Sequence, residues 1–512
     1  MNLKQMHARA QSTYRVRGFA LGLAILVGAV GCDSLLDVEL PSSVSGEALD
    51  DPGTAQLQLN AIMGQIECGL SAYQYHAAGY EDVFEMIAGA YGNYSQYAEA
   101  PGSLGEDEQC DPDISNFDWY DPMQIGRASA NQLYDRIQNV WTPESVTNRE
   151  QILAQTALYS AVALETFGGV FCEMTVDGGP LMTPDETLAA AEQWATTALE
   201  HIGATGDFEL ANGITGFDDE AGIEEFAHAL RGRIRWARGN YAGASADIAM
   251  VPEGFTAWIS REGRPERRNK VYFFSNPGSG RVLPALNTTF WSDPDAGFPG
   301  FFDPPAYAGG DWPNPIPFTG YLDLGIAPNG RALTAEATPY PVTTAATGAV
   351  ADNRVPIRFQ TVAAGGTVLY PVPNKYRSEG DDMPLVSWRE LELIMAEIEP
   401  ASAVGRVNNL RALHGLPQVT YGPATENEIE NMIIEERRRE LWLEGRYWVT
   451  KLQHTDKLWF PRDFGNWNIS GIPLNGGVRI AMPESEYILN ESLDLSDRGT
   501  MCDASQAPII IG

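Results

Sequence analysis

The chain has 512 residues, of which 44% are hydrophobic, and it carries a formal net charge of −34 at pH 7. That length accommodates two or three average domains or one large one, and the apolar content is enough for a substantial core. A charge this negative repels phosphate backbones, so nucleic-acid binding is not expected.

Residues 1–31 have the three-part layout of a secretory signal: a basic leader, an apolar run from Phe19 to Val30, and the small residue Gly31 before Cys32. The run is too short to span a membrane as a helix. The tetrapeptide Ala29-Val30-Gly31-Cys32 resembles a bacterial lipoprotein processing box, which implies cleavage before Cys32 and acylation of Cys32. The alternative is an ordinary signal peptide with a chance cysteine.

Residues 32–251 form a first, helical region. Residues 33–52 are a polar tether, and residues 71–125 are interpreted as a helix followed by long loops. Apolar residues at helical spacing predict helices over 52–70, 126–141, 148–167, 183–202 and 220–239. Segments 224–238 and 240–249 form a tight hairpin around Gly239, with small residues that allow close helix approach, as in a tetratricopeptide-type pair. Ordinary packed helices would give a similar pattern.

Residues 252–512 form a second region, which begins with a change in composition. Residues 252–384 are rich in Pro, Gly and aromatic residues, which predicts long loops with short strands near 354–361 and 367–372. Helices resume at 387–399, 401–413 and 426–452, and an extended piece covers 478–483. The fold class expected is therefore mostly α, with a loop-rich part and a few short strands.

Four cysteines follow Cys32, and their even number in an exported chain permits two disulfides. Three pairings are compatible with the sequence, and buried free thiols are the alternative. The pairing hypothesised here is Cys68–Cys110 with Cys172–Cys502. Because no two of these cysteines form a C-x-x-C motif, zinc and thioredoxin-type chemistry have no support.

The sequence contains no recognisable catalytic motif. It has no H-E-x-x-H, no G-x-S-x-G, no G-x-G-x-x-G and no Walker-type loop, so no metal or cofactor is expected. A carboxylate pair for glycoside hydrolysis stays open as an alternative, because the separation of two carboxylates is a tertiary property.

The densest charge cluster is Glu435–Glu440, which continues to Glu444 and Arg446. Three arginines could bind an anion. Glu435 and Arg439 are spaced i,i+4, and Glu436 and Arg439 i,i+3, which are the spacings at which helical side chains pair. Structural ion pairing is the preferred interpretation.

Three C-terminal blocks resemble the SusD/RagB-type outer-membrane nutrient-binding lipoproteins. They are EERRRELWLEGRYWVTKLQHTDKL at 435–458, SWRELELIMAEIEPASAVGRVNNLRALHGLP at 387–417 and VRIAMPESEYILN at 478–490. The resemblance implies tetratricopeptide-like helix pairs supporting a loop-rich ligand face. It also implies a lipid anchor in the outer membrane, exposed to the outside, and no enzymatic activity.

The partners implied by the resemblance are an oligosaccharide or other oligomeric nutrient and a TonB-dependent outer-membrane transporter. A secreted glycoside hydrolase and a non-binding helical-repeat scaffold are the alternatives. Sugar rings stack on aromatic side chains while polar neighbours bind hydroxyls. By region, the resemblance places the ligand contacts in two aromatic segments. The candidate binding residues are Tyr91, Asn93, Tyr94, Tyr97, Trp291, Tyr307 and Trp312. Aromatic residues that merely fasten long loops to the body are the alternative.

Overall fold

The computed structural model describes residues 49–80, 119–208, 214–215, 222–264, 267–275, 317–318, 350–351, 354, 356–361, 369–416, 418–419, 425–454, 479–480 and 482–498. The chain divides into two units, Met1–Asp51 and Pro52–Gly512, and the second contains nearly all of the described residues. The predicted signal segment and Cys32 lie outside the described residues. No helix in the described ranges has both the length and the apolar character needed to cross a membrane.

The described part of the chain is mostly helical, as predicted. In chain order the helices are α1 Ala55–Tyr80, α2 Tyr120–Asp135, α3 Arg149–Val170, α4 Pro184–Thr205, α5 Ile223–Ala237, α6 Tyr241–Ile248, α7 Lys270–Ser275, α8 Trp388–Ile398, α9 Ala403–Leu413, α10 Glu426–Glu440, α11 Tyr447–Gln453 and α12 Glu484–Leu489. The helix predicted over 52–70 continues well beyond its predicted end, to Tyr80.

The first helices pack in sequence, each against the next, from α1 through α6. At the centre lies α3, in which every residue from Ile152 to Val170 is buried. A five-residue π-helical segment, Arg136–Val140, directly follows α2 and accounts for the predicted end near residue 141.

Local sequence signals explain where several helices begin. Thr183 starts α4 with a capping box, in which its hydroxyl accepts from the Glu186 backbone N–H at 3.2 Å and the Glu186 carboxylate accepts from the Thr183 N–H at 2.8 Å. Thr425 and Glu428 form the same box at the start of α10.

The predicted hairpin of α5 and α6 is confirmed. Gly239 forms the turn with φ +75°, a value that glycine adopts at little cost. At Gly232 an added Cβ would lie 3.0 Å from Ile248, which shows how closely the two helices approach.

The described strands are short and antiparallel. In chain order they are β1 Ile214–Thr215, β2 Thr256–Ile259, β3 Pro317–Phe318, β4 Val350–Ala351, β5 Ile357–Thr361, β6 Leu369–Pro373 and β7 Met383–Ser387. Among them, β1, β2 and β7 form a three-stranded sheet in that order, β3 pairs with β4, and β5 pairs with β6. The strands predicted near 354–361 and 367–372 correspond to β5 and β6.

The C-terminal helices α8, α9 and α10 share a second apolar cluster, which includes Leu393, Val407 and Met432. Near the chain's end, Ile480 pairs with Phe171 in an isolated parallel bridge within the predicted extended piece.

The single helix predicted over 426–452 is wrong, because the chain turns between α10 and α11. Leu443 has φ +61° and Gly445 has φ +69°, both in the left-handed region. For a leucine this conformation costs about 1–2 kcal/mol. Leu443 is fully buried, so the surrounding structure holds the turn in place.

Three distant side chains bind the carbonyl groups of this turn. The Lys375 ammonium donates to the Trp442 carbonyl at 2.6 Å, and the Tyr73 hydroxyl donates to the Gly445 carbonyl at 2.9 Å. The Tyr376 hydroxyl donates to the Leu443 carbonyl at 3.2 Å. These hydrogen bonds satisfy buried carbonyls that a continuous helix would have satisfied internally.

The division predicted at residues 251 and 252 stays a prediction based on composition. Buried ion pairs nevertheless connect the two regions, since Arg233 contacts Glu390 at 3.2 Å.

Candidate ligand-binding face and the buried charge network

All seven candidate ligand residues lie outside the described residues: Tyr91, Asn93, Tyr94, Tyr97, Trp291, Tyr307 and Trp312. The helices that lead into both candidate segments are described. In sequence, α1 ends at Tyr80, ahead of the first segment, and α7 ends at Ser275, ahead of the second.

The two helices meet near these ends. The rings of Tyr75 in α1 and Phe274 in α7 contact each other with centroids 4.5 Å apart. The Ser71 hydroxyl accepts from the Lys270 backbone N–H at 3.1 Å and donates to the Arg268 carbonyl at 3.1 Å. The C-terminal half of α1 and helix α7, about 200 residues apart in sequence, therefore lie next to each other.

The C-terminal half of α1 is held firmly on its other sides. Gln74 donates to the Pro384 carbonyl of β7 at 2.6 Å, and Tyr73 donates to the turn between α10 and α11. Every residue from Ile66 to Ala78 is buried. The C-terminal half of α1 is thus fixed by contacts with three separate parts of the chain.

Partly exposed aromatic residues beside these helix ends were not among the sequence candidates. Tyr272 and Phe273 precede the buried Phe274, and the Arg268 guanidinium lies over the Phe273 ring at 4.2 Å from its centroid. The run Tyr272–Phe274 lies between the two predicted segments in sequence. Its three consecutive aromatic residues are the pattern from which the sequence could have identified it. We call Tyr272, Phe273 and Arg268, with the adjoining ends of α1 and α7, the loop base.

The charged cluster in α10 is architectural, as predicted. All six residues from Glu435 to Glu440 are buried. Glu435 binds Arg439 at 2.9 Å and Arg438 at 2.8 Å along the helix. Glu436 binds Arg354 at 2.6 Å and Arg411 at 2.9 Å on other parts of the chain.

Glu440 is a carboxylate of this cluster whose pKa is strongly lowered. It accepts from His414 at 3.0 Å and from Arg389 at 2.8 Å, and lies 3.4 Å from Arg354. Burial acts to raise the pKa of Glu440, but the hydrogen bond from His414 and the charges of Arg354 and Arg389 outweigh it and lower the pKa to about 2.

A second group of charges lies between α3, α5 and α8. Arg233 contacts Glu165 at 3.0 Å and Glu390 at 3.2 Å, and Arg446 contacts the same two carboxylates at 3.3 and 2.8 Å. Burial opposes ionisation of Glu390, yet the charges of Arg446 and Arg233 keep its pKa below the ordinary value. Two arginines and two glutamates therefore neutralise one another inside the core.

This charge network leaves little capacity for an anionic ligand. Each of its arginines named above faces at least one carboxylate, so the positive charges are already balanced within the protein. Unpaired buried charges would be costly, and these buried pairs lie within α10 or connect it and other helices to distant parts of the chain.

The described residues offer no arrangement of three or more His, Cys, Asp or Glu side chains that could hold a metal ion. Cys68 and Cys172 are each disulfide-bonded. Cys110 and Cys502 lie outside the described residues, so the pairings Cys68–Cys110 and Cys172–Cys502 stay a prediction. The Lys270 ammonium lies 3.6 Å from the Cys68 sulfur.

No family model matches the sequence, and no curated protein matches it either. Solved structures do match. A SusD-like carbohydrate binding protein from Bacteroides vulgatus is 13% identical, with a TM-score of 0.51, and the match covers 86% of this chain and 97% of that one.

Two SusD superfamily proteins give the same result. The one from Parabacteroides distasonis is 12% identical, with a TM-score of 0.51 and coverage of 88% of this chain and 99% of that one. The one from Bacteroides thetaiotaomicron is 13% identical, with a TM-score of 0.50 and coverage of 86% and 99%. The chain therefore has the fold of the SusD-like proteins, and the expected fold class is confirmed.

Proposed function

Starting from the SusD-like fold of this chain, we propose that it is a non-enzymatic, cell-surface lipoprotein of the SusD/RagB type. It captures oligomers, principally glycans, and passes them to a TonB-dependent transporter of the outer membrane. The observation that carries this proposal is the extent of the fold match, which includes nearly the full length of a carbohydrate binding protein from Bacteroides vulgatus.

The loop base supports the proposal that the ligand binds at the two aromatic segments. Both segments follow helices whose ends are joined by the contact between Tyr75 and Phe274. Aromatic side chains on the segments would stack against the C–H faces of sugar rings, and neighbouring polar groups would bind hydroxyls. Tyr272 and Phe273 would extend this aromatic surface at its base.

Ligand binding is tested with the detergent-solubilised full-length protein and a panel of oligosaccharides, by calorimetry. Replacing Trp291 and Trp312 together by Ala should weaken binding of a cognate glycan by about 1–3 kcal/mol, by analogy with stacking of bases on aromatic residues. Tyr241→Ala, at an exposed aromatic residue on α6, is the control and should bind like wild type.

The same experiment separates the alternative functions. Release of shorter sugars from the panel would identify a glycoside hydrolase, and failure to bind any oligomer would favour a helical-repeat scaffold. Unchanged affinity in a correctly folded Trp291/Trp312 variant would remove these two residues from the site.

The anchor and the partner are tested in membranes. Cys32→Ser should leave the precursor unacylated and move the protein out of the outer-membrane fraction, and its continued fractionation with that membrane would contradict acylation as the anchor. Affinity purification of the wild type, co-expressed with a TonB-dependent transporter of the same bacterium, should recover both proteins. Repeated failure to recover the transporter would count against delivery.

A further inference from the structure

The arginine of the loop base has unused hydrogen-bond donors. The side chain of Arg268 is only 13% exposed, and among the described residues the carboxylate within 4 Å of it is that of Glu379, 3.7 Å from Nε. This separation exceeds hydrogen-bond distance. The Nε atom is buried and has no hydrogen-bond partner within the described ranges. By contrast, Arg231, whose side chain is 14% exposed, binds Asp247 at 2.7 Å.

Aromatic and backbone contacts hold Arg268 in position. Its guanidinium lies over the Phe273 ring at 4.2 Å from the centroid. A ring attracts the cation but offers no carboxylate-type acceptor to its N–H groups. The Arg268 carbonyl accepts from the Ser71 hydroxyl at 3.1 Å, and the backbone N–H of Asn269 donates to the Glu379 carbonyl at 2.7 Å. The side chain therefore starts from a fixed backbone and rests on an aromatic surface.

Most acidic side chains near this segment are already engaged. Residues 264–270 contain four basic residues and one acidic residue, in a chain with a net charge of −34. Glu67 and Glu262 pair with other arginines of the segment. Asp381 and Asp382 accept from backbone N–H groups. Among the described residues, Glu379 is thus the carboxylate left facing Arg268, and it lies too far away to bind it closely.

The arrangement fits a carboxylate carried by a sugar ring. A guanidinium presents its N–H donors in a planar fork that matches the two oxygens of a carboxylate, and such charge-assisted hydrogen bonds are stronger than neutral ones. Tyr272 and Phe273, both partly exposed, supply aromatic surface beside this fork, against which the C–H face of a sugar packs. A neutral glycan would leave the guanidinium without an acceptor, whereas a uronic acid supplies one.

We propose that Arg268 binds the carboxylate of a uronic acid residue, so that the oligosaccharide captured by this protein is an acidic glycan. The inference rests on the proposed function and deepens it by naming the class of ligand. It places the carboxylate at the loop base, away from the buried network whose arginines are already paired. Glu379 opposes binding by repelling the incoming carboxylate.

The test is calorimetry on the detergent-solubilised full-length protein with oligogalacturonate, oligoglucuronate and oligomannuronate, each compared with its fully methyl-esterified form. Esterification removes the charge and keeps the sugar ring. The wild type should bind at least one free acid about tenfold or more tightly than its ester, as expected for hydrogen bonds between charged groups. Arg268→Gln should abolish that preference and leave the affinity for the ester unchanged.

Three further variants separate the fork of Arg268 from its charge. Arg268→Lys keeps the charge without the fork and should retain only part of the preference. Arg264→Gln is the matched control, because it removes the same charge from a side chain that is 75% exposed four residues away, and it should keep the preference. Glu379→Gln leaves Arg268 intact and should tighten binding of the free acid about threefold without affecting the ester. All variants should melt like wild type.

Several results would overturn the proposal. Equal loss of preference in Arg264→Gln and Arg268→Gln would attribute it to the charge of the whole segment. Tighter, Arg268-dependent binding of sodium sulfate or of oligoglutamate than of every free acid would assign the site to an inorganic anion or to an acidic peptide. Binding of neutral oligosaccharides with no preference for any free acid would also overturn it, while leaving the proposed function intact. Failure to bind any oligosaccharide would overturn both.

Discussion

Replacing Glu440 by Gln tests whether the buried network stabilises the fold through ionised carboxylates. Gln preserves the size of the side chain and removes the charge that His414, Arg389 and Arg354 surround. The folded state lowers the pKa of Glu440 from 4.5 to about 2. A shift of that size corresponds to about 3 kcal/mol of folding free energy at pH 7.

The direction of the pKa shift sets the pH window. Because the pKa of Glu440 is lower in the folded than in the unfolded chain, its stabilisation is fully present above about pH 5 and is lost as the pH falls through about 2. We therefore expect E440Q to unfold with a free energy about 3 kcal/mol below that of wild type at pH 7. The difference should shrink as the pH falls, since the wild-type carboxyl then becomes protonated.

Urea unfolding followed by tryptophan fluorescence, repeated from pH 7 down to pH 3, measures this difference. Glu426→Gln is the matched control, because Glu426 is an exposed residue in the first turn of the same helix and its replacement changes the charge equally. A difference for E440Q that did not vary with pH, or that was no larger than that of E426Q, would refute the reasoning.

Three further predictions concern stability and covalent structure. Arg439→Ala should cost up to about 3–5 kcal/mol, because buried Glu435 loses the arginine at 2.9 Å and keeps only Arg438. It should lower the melting temperature without changing glycan affinity per folded molecule; lost affinity with unchanged melting would place Arg439 in the site. Gly445→Ala should destabilise the folded protein by about 1–3 kcal/mol, because φ is +69° and the new Cβ would lie 3.0 Å from Tyr73. Gly405→Ala within α9 is the control and should be neutral or stabilising, and calorimetric melting measures both variants. Mass spectrometry of the unreduced, alkylated protein should show peptides linked by Cys68–Cys110 and Cys172–Cys502; a Cys68–Cys172 peptide would contradict that pairing.

The helices could be predicted from the sequence where capping residues and amphipathic patterns mark their ends. The Thr183–Glu186 capping box and the following amphipathic pattern place the start of α4 within a residue of the prediction. The turn after α10 has no such signal. Its leucine at φ +61° is held by hydrogen bonds from Tyr73, Lys375 and Tyr376, which are distant in sequence, rather than by its own neighbours.

The strands and the loop base were harder to predict, because they depend on pairings between distant parts of the chain. The composition of residues 252–384 indicated short strands but not that Thr256–Ile259 pairs with Met383–Ser387. Aromatic composition likewise identified two candidate segments, while the contact between Tyr75 and Phe274 that joins the two preceding helices is visible only in the folded chain. Sequence patterns report local structure well, and they report contacts between distant residues poorly.

The meeting of α1 and α7 has a consequence for how this protein can diversify. The contacts that hold α1 against α7 are made by residues outside the two candidate segments. Lengthening such a connection is inexpensive, since each doubling of a flexible loop costs only about 0.6 kcal/mol. On the proposed function, nutrient preference could therefore change between homologues by insertion, deletion and exchange of these segments. Grafting both segments together from one homologue to another would be expected to transplant preference, whereas grafting either one alone would give a mismatched pair.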